Sequence, residues 1–162
     1  MAEVANPRLQ PGDALVRIAL AGVCNTDLEI VRGYLDYRGV LGHELVGRVE
    51  QGAERWKGKR VVAEINLGCG QCSWCQRGLD RHCPDRRVLG IAGASGAFAD
   101  FVAVPERNLH LVPEPVSDEA AVFVEPLAAA FEILEQVSMV EGTEALVLGD
   151  GKLGLLVAMV LS

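Results

Sequence analysis

The sequence predicts a mainly β fold with some α: a small, partly open barrel that gives way past Pro113 to helices and then to the opening of a βαβ unit. Three patterns carry this expectation. Short stretches alternate apolar and polar side chains between Gly-rich turns, which suits a barrel better than a parallel sheet. After Pro113 the capping and apolar pattern becomes helical. An apolar strand, the turn GDGKLG and an apolar helix start then follow in that order.

Each element has a local reason. Ala14 to Ala21 (ALVRIALA) sets Val16, Ile18 and Leu20 at period two after the Pro11-Gly12 turn, a half-buried strand. A short helix fits Thr26 to Val31, opened by the polar pair Thr26-Asp27. Gly42 to Glu50 alternates again, with Leu45 and Val49 on one face and Glu44, Arg48 and Glu50 mostly on the other. Val61 to Ile65 reads as a third strand, Gly68 to Pro84 as an irregular Cys-rich lobe, and Ala97 to Val104 as another strand. Ser117 can cap a helix whose first turn holds Asp118 and Glu119. Pro126 suits the first position of a further helix to about Val137 and biases Glu125 toward extended backbone, which puts Glu125 at a break between two helices. Ala145 to Leu148 (ALVL) is the last expected strand.

Half of the 162 residues are hydrophobic and 23% are charged, enough for a packed core. Fifteen Lys and Arg against 22 Asp and Glu leave a net charge of −7, which removes the electrostatic case for nucleic acid or an anionic membrane and points to a small-molecule or protein partner. The opening MAEVANPRLQPGD has neither the basic nor the apolar region of a secretory signal. The longest apolar stretch, Leu153 to Leu161, falls well short of the roughly 18 residues a membrane span needs. Five cysteines, four of them between Cys69 and Cys83, suit metal chelation in a reducing, cytoplasmic setting better than a disulfide framework.

Those four, Cys69, Cys72, Cys75 and Cys83, are spaced x2, x2 and x7 in GCGQCSWCQRGLDRHC. Tight turns bring successive thiolates to one centre, and the longer gap lets the chain curl back for the fourth corner of a tetrahedron. A closed four-thiolate zinc site is expected, structural because it leaves no open coordination position. The alternatives are an iron-sulfur cluster, whose usual last gap is x3, and unliganded or disulfide-linked cysteines. Arg77, Arg81, Arg86 and Arg87 either offset the thiolate charge or form a solvated basic loop, and His82 is a bystander beside a complete ligand set. Elsewhere, Cys24 in GVCNTDLE and His43-Glu44 in LGHELVGRVE are metal-competent, although a lone Cys is usually a small buried hydrophobe and a His-Glu pair usually surface decoration.

The order GVCNTDLE, LGHELVGRVE, GCGQCSWCQRGLDRHC, VEPLA and ALVLGDGKLG resembles the zinc-dependent medium-chain alcohol and polyol dehydrogenases, over nearly the whole chain from about Gly12. The resemblance implies a GroES-like catalytic domain over residues 1–137, with its lobe at 66–90, and the first β-α element of a Rossmann nucleotide-binding domain over 138–162. It implies two zinc ions per chain: a structural one on the four cysteines, and a catalytic one on Cys24 and His43, with Glu44 as a third or alternate ligand and Glu125 where the family has a Cys or a Glu. Glu125 resembles the branch acting on polyols, sugars and threonine. Both His43 and Glu44 can reach one metal only if the strand begins or bends there, as Gly42 permits. The resemblance further implies that Thr26, otherwise a helix cap, receives the alcohol proton, and that Asp27 fixes the tautomer of His43. The reaction implied is oxidation of a secondary alcohol or polyol through a zinc-held alkoxide, with hydride passing to the nicotinamide. Glu29 stands where many members have a proton-relaying His.

Gly149-x-Gly151-x-x-Gly154 follows an apolar strand and opens a helix, the context in which a glycine turn cradles a pyrophosphate. Lys152 compensates Asp150 beside the phosphates, and Leu153 completes the cofactor-facing turn; a bare strand-to-helix turn is the alternative. The acidic or basic residue that separates NAD from NADP is expected about 20 residues further on, beyond Ser162. The chain alone is therefore expected to bind zinc with little or no turnover, and its apolar edge between Leu146 and Leu161 to be covered by self-association or by displacement onto the β domain. The rival readings are a non-catalytic zinc module that binds another protein and an iron-sulfur carrier.

Overall fold

Period-two alternation does build strands in the computed structural model, which describes residues 3–162. In chain order the elements are β1 (Asp13–Gly22), α1 (Asn25–Val31), β2 (Glu44–Gln51), β3 (Arg60–Ala63), β4 (Asn66–Leu67), α2 (Ser73–Gln76), β5 (Arg87–Leu89), β6 (Gly93–Ala94), β7 (Phe101–Pro105) and β8 (Leu109–Leu111). Three helices follow: α3 (Asp118–Ala121), α4 (Val124–Gln136) and α5 (Lys152–Leu161). Tight 3-10 turns at Asp80–His82 and Glu106–Asn108 interrupt the loops. The main sheet has five strands in the order β7-β1-β2-β3-β8, all antiparallel, and a second sheet joins β4, β5 and β6.

The centre of the main sheet is covered on both sides. Val16 pairs with Val49 on one side and Val102 on the other, and all three enter the larger core with Leu45, Val61 and Val104. On the opposite face, Val46 and Val62 pack with Ala121 and Val122 at the end of α3. Each Val or Leu side chain of these cores contributes roughly 1.5–3 kcal/mol when fully buried. Glu44 shares the Val46 face, so that face runs from a buried carboxylate to the exposed Arg48 and Glu50. Arg60 ties the arrangement together: its guanidinium donates to Asp118 Oδ1 (3.2 Å) and to the carbonyls of Pro113 (2.8 Å) and Val116.

The structure moves several expected boundaries. The first helix begins at Asn25 with Cys24 as its cap, so Thr26 lies inside the first turn and is not the capping residue. The third strand stops at Ala63: the Glu64 N–H still bonds the Asn108 carbonyl in register (2.8 Å), but Asn108 belongs to the 3-10 turn, so the ladder ends there. β7 starts at Phe101, not Ala97, because the N–H groups of Ala97 and Phe98 bond Gly42 and Leu41 instead of a strand partner. Glu125 sits in the first turn of α4 rather than at a break before it; Pro126 is also in that turn, where its missing N–H costs nothing. Residues 145–148 form no strand, since among the described residues no neighbour completes their hydrogen bonds. Leu146 and Leu148 are consequently 84% and 88% exposed. No helix among the described residues is long and apolar enough to cross a membrane.

Candidate active site

Three residues from two parts of the chain converge at the end of the main sheet. Ligand atoms of Cys24, His43 and Glu44 all lie within 4.8 Å of one another. Cys24 caps α1 where β1 ends, His43 immediately precedes β2, and Glu44 is the first residue of that strand. Gly42 makes this possible: at φ +92° it turns the chain so that two successive side chains face one centre. Its N–H donates to Asp27 Oδ1 (3.2 Å), and its carbonyl accepts the Ala97 N–H (2.8 Å). Neighbouring backbone presses on it, since a Cβ at Gly96 would collide with the Gly42 carbonyl. Gly22, paired with Glu44 across the ladder, leaves room for that carboxylate, which a Cβ there would strike. Nothing in the sequence singles out Gly22, because its role appears only when β1 and β2 come together.

Asp27 is buried beneath the cluster. Its Oδ2 accepts the Cys24 N–H (2.9 Å), and its Oδ1 lies 3.4 Å from His43 Nδ1. That contact is electrostatic, without the alignment of a hydrogen bond, and among the described residues Nδ1 has no hydrogen-bond partner. A soft thiolate, a buried imidazole and a carboxylate within reach of one centre are a donor set that fits a zinc ion. The Cys24 thiol is 3.7 Å from Thr26 Oγ1, which places the hydroxyl beside the cluster. Burial raises the Glu44 carboxyl above its usual range; Asp27 adds to the rise, while His43 and Lys152 oppose it.

The cluster opens into a cleft of about 890 Å³, walled by Val122, Phe123 and Ile91 and by Glu125 of α4. Glu125 faces this space but is not among the three residues whose donors converge. Its carboxyl is pushed up to about 7, first by burial and then by the charges of Glu44, Glu64 and Asp27. Glu29 lies on the outer side of α1, paired with Arg32 (2.7 Å), and does not line the cleft.

The glycine turn forms the facing wall. Gly149, at φ +117°, and Gly151 leave open space around their backbones, while a Cβ at Gly154 would collide with the Gly149 carbonyl, so the helix start packs directly on the turn. Gly151 caps α5, and Lys152 and Leu153 open it, both lining the cleft. Lys152 Nζ donates to the Val23 carbonyl (3.3 Å).

The second cluster lies in the lobe. The thiols of Cys69, Cys72, Cys75 and Cys83 are mutually within 4.8 Å, while a zinc-thiolate tetrahedron with bonds of about 2.3 Å has edges of about 3.8 Å. The four therefore fit one tetrahedral ion. N–H groups of Gln71 and Cys72 draw the Cys69 thiol down to about 7, whereas burial pushes Cys75 up to about 12. His82 packs against Trp74 with ring centres 5.4 Å apart, outside the cluster, and Arg77 lies over the same indole at 5.2 Å. Arg77, Arg81, Arg86 and Arg87 are all solvent-exposed. Two cations reach the lobe backbone: Arg86 donates to the Arg81 carbonyl, and Arg107, which sequence reasoning missed, donates to the Gly68 carbonyl beside Cys69. Its neighbour Asn108 is buried and donates to the carbonyls of Glu64 (3.1 Å) and Asn66 (2.9 Å).

A sequence profile of the alcohol dehydrogenase GroES-like domain matches residues 10–114. The chain belongs to that family. The matched span holds both donor clusters. The L-threonine 3-dehydrogenase of Streptomyces avermitilis is 36% identical over 98% of this chain and 48% of its own length. The erythritol/L-threitol dehydrogenase of Mycolicibacterium smegmatis is 32% identical over 94% of this chain and 48% of its own. A crystal structure described as a short chain alcohol dehydrogenase (rspB) from Escherichia coli CFT073, complexed with cofactor NADH, superposes with a TM-score of 0.88 at 34% identity, covering 96% of this chain and 47% of that one. This GroES-like chain thus spans about half the length of the curated relatives it matches.

Proposed function

We propose that this chain is the metal-binding part of a zinc-dependent, NAD(P)-linked dehydrogenase that oxidises a secondary alcohol or polyol. The observation that carries the reading is the convergence of Cys24, His43 and Glu44 on one face of a cleft whose facing wall is the turn Gly149–Gly154. Cys24, His43 and Glu44 would hold the catalytic zinc, with Glu125 joining directly or through a water. That ion, when bound, supplies a Lewis-acid centre for the substrate hydroxyl.

The remaining work falls to the chain. The Thr26 hydroxyl beside Cys24 takes the proton from the substrate hydroxyl as it gives up its own to water in the cleft. Asp27 holds the Cys24 and Gly42 backbones and sets the electrostatic surroundings of His43. Val122, Phe123 and Ile91 exclude water from the reacting carbon. Gly149 and Gly151 admit the cofactor pyrophosphate to the start of α5, with Lys152 and Leu153 alongside. Residues 1–137 serve as the catalytic unit and 138–162 as the start of the nucleotide unit. The two donor clusters support two zinc ions per chain, the five free cysteines a reducing cytoplasmic setting, and the exposed leucines at 146 and 148 a homo-oligomer.

The test is oxidation of erythritol, L-threonine and related secondary alcohols by the whole protein with NAD or NADP, alongside metal analysis. Two zinc ions per chain are expected. His43→Ala should abolish oxidation and spare the lobe zinc, and retained activity in that variant overturns the site.

A further inference from the structure

Lys152 holds a position that binding a phosphate does not explain. It is the first residue of α5, directly after the glycine turn, yet its ammonium is bonded to the Val23 carbonyl, on the opposite wall of the cleft. Val23 immediately precedes Cys24, whose own N–H is held by Asp27. One side chain of the glycine turn thus reaches the loop that carries the thiol.

We propose that Lys152 is a positioning residue: a strut that ties the glycine turn to the loop bearing Cys24 and so sets the distance between the cofactor wall and the metal wall of the cleft. Its importance to catalysis rests on the nucleotide reading of the turn given above. The strut itself rests on the Val23 contact and the shared cleft. A four-carbon stem ending in a cation suits the task, because the turn beneath it has no side chains at Gly149, Gly151 or Gly154 with which to span the gap.

Lys152→Met and Lys152→Arg separate this role from simple packing. Both keep a long stem, and only Arg keeps the charge and donors. Hydrogen exchange is read over residues 20–26 and 147–155, and visible absorption is read with cobalt(II) at the Cys24–His43–Glu44 cluster and zinc retained in the lobe. The Met variant should speed exchange in both segments by about threefold to tenfold, the factor a hydrogen bond of ordinary net strength supports, and should shift the cobalt bands. Exchange over the lobe should not change, and Arg should restore most of what Met loses. Unchanged exchange and unchanged bands in the Met variant overturn the strut, as does an Arg variant that restores neither. A separate NADH fluorescence titration of the unsubstituted protein tests the nucleotide reading; its failure beside the expected exchange pattern counts against that reading and leaves the strut standing.

Discussion

Asp27 and Gly42 are joined across 15 residues of sequence by a 3.2 Å hydrogen bond from the Gly42 N–H to Oδ1, and that bond connects helix α1 to the residue that aims His43. The other oxygen takes the Cys24 N–H at 2.9 Å. One buried carboxylate therefore fixes the backbone beside two of the three converging donors.

Replacing it separates support from ligation. Asp27→Ala leaves two N–H groups without their acceptor, at a cost of roughly 2–5 kcal/mol in stability. Asp27→Asn keeps one acceptor oxygen and should fold, but with zinc affinity at the Cys24–His43–Glu44 cluster lowered by about 10- to 100-fold. Competitive zinc titration, paired with denaturant unfolding, checks both; equal affinity in the Asn variant would refute the supporting role.

Arg107 governs the other cluster from outside it. Arg107→Met removes the donor to the Gly68 carbonyl and should destabilise the fold by roughly 1.5–3 kcal/mol. The loss should centre on the lobe, with weaker cobalt-thiolate absorption at a given cobalt concentration. By contrast, neutralising Arg81, an exposed lobe arginine whose side chain makes no hydrogen bond among the described residues, should leave the stability within about 0.5 kcal/mol and the cobalt-thiolate absorption unchanged.

Glu125 predicts a pH dependence in the metal-free chain. Its folded-state carboxyl, raised to about 7 chiefly by burial, lies above its ordinary value of 4.5, so the fold prefers the protonated form. Stability from this group is fully present below about 4.5 and is lost as pH rises through about 7. Glu125→Gln should therefore gain on the unsubstituted chain as pH rises, with urea midpoints measured in chelator between about pH 5 and pH 8. Parallel midpoints across that range would show that burial does not hold the proton.

How far the sequence could be read depended on the range of the interactions. Leu45 and Val49 declare their face by local alternation, and Cys69 to Cys83 declare a metal site by spacing within one loop; both appear as expected. Cys24 and His43 were linked only through a family likeness, because the fold alone brings them together. Gly22, Arg107 and the three-residue strand Leu109–Leu111 were not legible, since each is defined by a partner far away in the chain. Residues 145–148 read as a strand by composition, but a strand also needs a neighbour, which no local pattern supplies.

The crossing of Gly42 and Gly96 separates two kinds of tolerance in this domain. His43 is set by main chain lying on main chain, with the Phe98 ring packed against Gly42 as the side chain in the join. Substitutions that repack Val16, Leu45 or Val102 with similar volume can therefore accumulate without retuning the ligand spacing. A methyl group at Gly96 would strike the Gly42 and Leu41 carbonyls and one at Gly42 the Phe98 ring, so the interior is free to drift in sequence around a fixed joint.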